Sequence, residues 1–205
     1  METFNIEVDG DGIALVTFDV PGRSMNTITG QVTREFGEVI ERIRTDAAIK
    51  GAVLTSGKAT GFCAGADLAE MGAGLFSASG DDEASLRQAY DAIYGLNRSM
   101  RALETCGKPV ACAINGLALG GGFEMTLCCH YRVLADDPKA QVGLPETKIG
   151  LFPGSGGTQR VARMIGAQQA LMMISASGTP QGPWCVRVLI RGDCVATAAP
   201  TRTEK

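Results

Sequence analysis

Histidine is nearly missing from this 205-residue chain: there is one, His130. That excludes most catalytic triads, because His130 has only Cys129 and Tyr131 beside it, and a lone histidine at a helix end reads as a structural cap. Aromatic residues make up only 5% and there is one tryptophan. No block of basic residues occurs and the net charge is −3, which argues against nucleic acid as a partner. No apolar run is long enough to span a membrane, and Met1 leads into strand-like sequence without the apolar stretch of a secretion signal. Paired cysteines are also not apparent. The seven (63, 106, 112, 128, 129, 185, 194) are odd in number and mostly in apolar settings, so reduced thiols and a cytoplasmic location are expected. Cys128-Cys129-His130 lacks a second ligand pair at zinc spacing, so no metal site is expected.

What is abundant is glycine, 27 residues, together with a hydrophobic fraction of 45%. This combination suits one well-cored domain with many tight turns. The central stretch is Asn115–Met125, N-G-L-A-L-G-G-G-F-E-M. It follows the buried-strand pattern of residues 109–114 and leads into a helix expected over 123–129. Three successive glycines there allow a ligand close to backbone N–H groups at the positive end of a helix. Glu124 sits one turn inside, a carboxylate in apolar company.

Around this stretch, strands are expected at 3–8 and 13–20, joined through Asp9-Gly10-Asp11-Gly12 as a hairpin, and at 51–56, 131–135 and 140–142. Helices are expected over 29–45, with Val32, Phe36, Val39, Ile40 and Ile43 on one face, and over 82–104, with Leu86, Tyr90, Ile93, Met100 and Leu103 inward. A short helix starts at Leu68, capped by Asp67. Another covers 157–165. Residues 57–67 and 72–82 read as loops. Strand pairs followed by helices argue for an α/β fold with crossovers, though no sequence repeat is visible. Gly154-Ser155-Gly156-Gly157-Thr158 looks like a phosphate loop, but the lysine of a P-loop is absent, so a glycine-rich helix start is the better reading.

Two stretches, Gly61–Asp67 and the glycine turn, each place small residues where backbone N–H groups can be free. Converging, they would form an oxyanion hole. Glu146, after the turn-fixing Pro145, is a second carboxylate. Two carboxylates near such a hole suit acid–base chemistry on an enolate, with ordinary turn chemistry and surface charge as the competing reading.

Three segments sharpen this. G-F-C-A-G-A-D-L, K-P-V-A-C-A-I-N-G-L-A-L-G-G-G-F-E and V-G-L-P-E-T-K-I-G-L-F-P-G-S-G-G-T-Q-R resemble, in order and spacing, the signature stretches of the enoyl-CoA hydratase/isomerase (crotonase) family. The segments V-P-G-R-S-M-N and G-L-P-E-T-K-I-G-L-F-P-G most resemble the N-terminal hydratase part of bacterial multifunctional fatty-acid oxidation α-subunits. The resemblance implies a crotonase-like spiral of ββα units, acting on an acyl-CoA thioester and assembled as a trimer or larger oligomer. Coenzyme A would be part of the substrate, with no separate cofactor. It implies Glu124 and Glu146 as the catalytic carboxylates and Ala66 and Gly121 as the oxyanion donors. Ser24, Met25 and Ala64 would line the coenzyme A path, and Met71, Leu75 and Phe76 are candidates for the acyl tunnel. The expected activity is hydration of a trans-2-enoyl-CoA. A 3,2-enoyl-CoA isomerase and a catalytically weak acyl-CoA-binding remnant are the alternatives.

The resemblance stops near Met173. Residues 1–173 are expected to be the spiral core and 174–205 a tail foreign to the family. That tail has no helical apolar stripe, and Arg187, Arg191, Arg202 and Lys205 outnumber Asp193 and Glu204. No dehydrogenase segment is present, so no NAD chemistry is expected.

Overall fold

A computed structural model describes residues 1–77 and 82–177. Its strands form two sheets. The larger contains β1 (Phe4–Val8), β2 (Ile13–Phe18), β3 (Gly51–Ser56), β5 (Val110–Ile114) and β7 (Tyr131–Leu134), in that spatial order. β1 and β2 are the antiparallel hairpin; every later pairing is parallel. The smaller sheet contains β4 (Gly61–Cys63), β6 (Leu117–Leu119) and β8 (Val142–Gly143), all parallel. Ile28 adds one bridge beyond β4, to Ala66.

This arrangement contains a structural repeat that the sequence does not display. β3 and β4, β5 and β6, and β7 and β8 are three successive pairs, each giving its first strand to the large sheet and its second to the small one. β2 with the Ile28 bridge is an abbreviated fourth. Each pair is followed by helical structure: α1 (Gly30–Thr45) after Ile28, α2 (Leu68–Ser77) and α3 (Glu83–Glu104) after β4, α4 (Gly121–Leu127) after β6, and a 3-10 turn (Glu146–Ile149) after β8. α5 (Gly157–Ile165), α6 (Ala167–Met172) and a π-turn (Met173–Ser177) complete the described chain.

Local chemistry explains the main elements. Thr29 caps α1, its hydroxyl accepting from Val32 N at 3.2 Å. The α1 stripe Val32, Phe36, Val39, Ile40 and Ile43 is buried as expected. Phe4 stacks on Phe18 and Phe36 with ring centroids 4.7 and 5.9 Å apart, and each such buried ring contributes about 1.5–3 kcal/mol. Asp67 caps α2, accepting from Ala69 N and Glu70 N. Asp82 caps α3 in the same way, through Ser85 N.

Several expectations are corrected. Among the described side chains of α3, Met100 and Leu103 are inside, whereas Leu86 and Tyr90 are exposed. A 22-residue helix is about 33 Å long and outruns the 16-residue α1 on which it packs. The side chain of Ile93 lies outside the described residues, as do those of Leu75 and Phe76. Residues 72–77 continue α2 instead of forming a loop, and 78–81 lie outside the described residues. Residues 61–63 are strand β4, not loop. β8 starts at Val142, and Ala140 precedes it in a turn closed by Ala140 N to Asp137 O. The tail from 178 onward lies outside the described residues, including the strand suggested by Cys185–Ile190. His130 is structural, as expected. Its Nδ1 accepts from Val110 N at 3.0 Å, which leaves the proton on Nε2, 3.2 Å from Glu104 O.

Candidate active site

The small sheet brings the three sequence motifs together. Its strands are parallel, so their C-terminal ends emerge on one edge, the edge where α/β proteins gather ligands. From β4 the chain continues into Ala64-Gly65-Ala66, from β6 into Gly120-Gly121, and from β8 into Leu144-Pro145-Glu146. Residues 80 positions apart in sequence therefore face one another.

Between β6 and α4, Gly120 has φ +53° and ψ −130°, a conformation closed to residues with a Cβ. It turns the chain abruptly, so that α4 begins at Gly121. The helix thus starts two residues earlier than the sequence pattern suggests. Gly121 itself is not in a positive-φ conformation; the backbone demand rests on Gly120. Gly122 is confined by packing: a Cβ there would lie 2.5 Å from the carbonyl oxygen of Cys63 on β4. Gly121 faces the edge. A Cβ on it would lie 3.0 Å from Ile28 Cδ1, 3.9 Å from Ala66 N and 3.9 Å from Glu124 Oε2. The Ala66 and Gly121 amides are thus neighbours over one small space. Around the Ile28 bridge it is Ile28 N and Asp67 N that donate, to Gly65 O and Ile28 O, while Ala66 N points away from that pairing. Gly121 N opens a helix, where amides have no partner within the helix.

Glu124 is 2% exposed. Its Oε1 accepts from Gly157 N at 2.7 Å and from Ser155 N at 2.9 Å. These donors were not legible as part of the site; Gly154–Thr158 read as a helix start, which it also is, with Gly156 at φ +96° capping α5. A Cβ on Gly157 would lie 2.9 Å from Glu124 Oε1, so a side chain there would displace the carboxylate. Burial drives the Glu124 carboxyl up to about 7, the Glu146 charge adds to the rise, and the two amides with Arg160 hold it back. Glu146 is half-buried and its carboxyl is likewise raised by burial. Its Oε2 is buried with no hydrogen-bond partner, and its Oε1 lies 3.3 Å from where a Cβ on Gly120 would sit. Two carboxyls with ionisation displaced towards neutrality are therefore present on the edge with the two amides.

The remaining expected site residues are spread along β4. Ala64 is exposed beside the edge, with its amide donating to Asn26 O at 2.9 Å. Met25 and Ser24 lie at the opposite end of that strand: a Cβ on Gly61 would meet Met25 Cε at 2.7 Å, and Ser24 O accepts from Thr60 Oγ1 at 3.4 Å. They are not beside the carboxylates, and a three-residue strand separates them by about 10 Å. Met71 is half-buried on α2. Among the described residues, no three His, Cys, Asp or Glu side chains group as a metal site, and no helix is long and apolar enough to cross a membrane.

Known proteins share this chain's family and fold. Residues 9–181 match the enoyl-CoA hydratase/isomerase family. The fatty acid oxidation complex subunit alpha of Idiomarina loihiensis is 44% identical over 173 residues, which are 84% of this chain and 23% of that protein. Its namesake in Shewanella baltica is 43% identical over 173 residues, with the same coverage. The chain thus spans less than a quarter of the length of these relatives. The crystal structure of an enoyl-CoA hydratase from Bacillus anthracis superposes with a TM-score of 0.76 at 29% identity, covering 92% of this chain and 68% of that one. The fold is the crotonase-like spiral.

Proposed function

We propose, from the premise that this chain belongs to the enoyl-CoA hydratase/isomerase family, that it adds water reversibly across the α,β double bond of a trans-2-enoyl-CoA thioester in fatty-acid oxidation. Ala66 N and Gly121 N receive the thioester carbonyl oxygen. As water oxygen bonds to C3, electron density moves through C2 onto that oxygen, so the two donors bind the transition state more strongly than the substrate. One carboxylate takes a proton from the water and the other delivers one to C2. The sum is one water gained, with no oxidant and no cofactor beyond the coenzyme A of the substrate. Ala64, Met25 and Ser24 along β4 supply a path for the coenzyme A arm leading away from the edge.

The observation that supports this reading best is the pairing of Glu124, held near neutrality, with Glu146 on the edge that presents the two amides. An isomerase shifts a proton between carbons and needs only one carboxylate, so the pair favours the hydratase. Mixing purified protein with a short trans-2-enoyl-CoA and following the enoyl-thioester ultraviolet absorbance tests it. Decay to the 3-hydroxyacyl-CoA is expected. Absorbance that persists, with the same protein converting a 3-enoyl-CoA to the conjugated isomer, would give the isomerase instead; inactivity on both with retained acyl-CoA binding would give the remnant.

A further inference from the structure

Behind Glu124 stands an ion pair that the proposed chemistry does not use. Arg160, in the first turns of α5, donates from Nε to Glu104 Oε1 at 2.6 Å and from a terminal guanidinium nitrogen to Ser155 O at 2.8 Å. Its side chain is 12% exposed and that of Glu104 is 25% exposed. Glu104 is the last residue of α3, and its other oxygen is held by Arg101 at 3.0 Å. Ser155 is the residue whose amide, with that of Gly157, donates to Glu124. One planar fork therefore joins the end of α3 to the loop that cradles the Glu124 carboxylate, a double engagement that suits guanidinium and not ammonium.

We propose that Arg160 is a positioning residue: pinned by Glu104, it holds the Ser155–Gly157 loop so that both amides aim at Glu124, and so sets how readily that carboxylate ionises. This rests on the hydratase reading for its effect on turnover, but not for its effect on Glu124. The charged and titratable groups around Glu124 are few. Glu146 faces it from the turn after β8. Arg160 faces it from α5, with Glu104 and Arg101 of α3 behind. On the α4 side, Cys128 near Arg160 is a fully buried thiol held well above its ordinary range, first by burial, and stays neutral. Cys63 under Gly122 is likewise pushed up to about 12 by burial. Arg160 is the only cation among these that touches the cradle. Asn97 Nδ2 also holds this loop, donating to Gly154 O at 2.9 Å, but without Arg160 Glu124 loses the nearby positive charge and the anchor at Ser155 that aims the two donors, and both losses favour the protonated form.

The test is the ionisation of Glu124 in the full chain without substrate, followed by infrared difference spectroscopy of its carboxyl band, which Glu124→Gln identifies. Arg160→Met should move the midpoint up by about one pH unit and lower kcat about tenfold or more with KM nearly unchanged. Arg160→Lys keeps the charge and the packed stem but cannot hold Ser155 O and Glu104 together, and should fall between parent and Met on both readouts. A folded Arg160→Met protein with the parental midpoint would overturn the proposal. If that variant does not fold, an Arg160→Lys protein with parental midpoint and kcat would overturn it. A parent without hydratase activity would sink the proposed function alone, since the carboxyl titration decides the role of Arg160 separately.

Discussion

At the scale of single residues, the question is what a buried carboxylate does for the molecule and what it costs. Glu124→Gln and Glu146→Gln each remove a proton-transfer group while keeping shape, and each is expected to lower the hydration rate by about two to four orders of magnitude. Near-parental turnover in either variant, measured by the absorbance assay, would refute the two-carboxylate mechanism. Stability should move the other way at Glu124. Its folded-state value of about 7 lies above the ordinary 4.5. Below pH 4.5 the group is protonated in both states and costs nothing. Between 4.5 and 7 the unfolded chain releases the proton and the folded chain does not, so stability falls as pH rises; above 7 the penalty is constant, about 3 kcal/mol. Glu124→Gln, whose amide oxygen still accepts from Ser155 N and Gly157 N, should therefore resist urea better than the parent at pH 8.5, with the difference fading by pH 5. Equal or lower stability of the variant at pH 8.5 would show that the carboxylate is compensated where it stands. Both glutamates could be singled out in the sequence, but their settings after a glycine turn and after a fixed proline left ordinary turn chemistry open, and it was the resemblance of the motifs around them that chose them. The cradle amides could not, since a backbone N–H has no letter of its own and its aim depends on a loop 31 residues further on.

At the scale of elements, the site depends on three short strands being parallel and in register. Glycine keeps them close: a Cβ on Gly122 would strike Cys63 O, and one on Gly157 would press on Glu124 Oε1 and on Leu144 Cδ1, 3.1 Å away. The two positions should fail differently. Gly122→Ala meets backbone, so β4 and α4 must part, and overpacking of this kind costs about 1–3 kcal/mol. Gly157→Ala meets a side-chain carboxylate that can swing aside, so it should lose rate with little loss of stability. Urea unfolding and steady-state kinetics on both variants separate these outcomes; equal stability losses would show that Glu124 is as immobile as the backbone. The hairpin, β3, β5, β7, α1 and α5 could be read from apolar runs, periodicity and turn residues. β4 and β6 could not, because three residues are too few to show an alternation and the motifs around them are written in glycine and alanine. The repeat escaped for the same reason: its units share a path, β to large sheet and β to small sheet, but not a sequence.

At the scale of the whole molecule, the apolar surface near the site remains to be accounted for. Phe152 is 74% exposed, Leu171 66%, Ile149 54%, Met172 50% and Leu151 41%. They lie just after Glu146 and on α6, and these two regions are tied by Thr147 Oγ1 donating to Ile174 O at 2.8 Å. An apolar grouping of this size on a protein surface usually marks a place of association. Water reaching the thioester oxygen would weaken what two backbone donors achieve. If residues 1–173 are the working core, replacing 174–205 with the C-terminal segment of the Bacillus anthracis hydratase, a relative of which this chain covers 68%, should cover the patch and dry the edge together. The graft is then expected to sediment as one defined oligomer and to hydrate a short trans-2-enoyl-CoA at least about tenfold faster than the natural chain. The two effects should arise jointly if one segment covers both the patch and the edge. A natural chain that is monodisperse and as fast as the graft would mean that 174–205 already does this work by other means, and the boundary at 173 would have to be withdrawn.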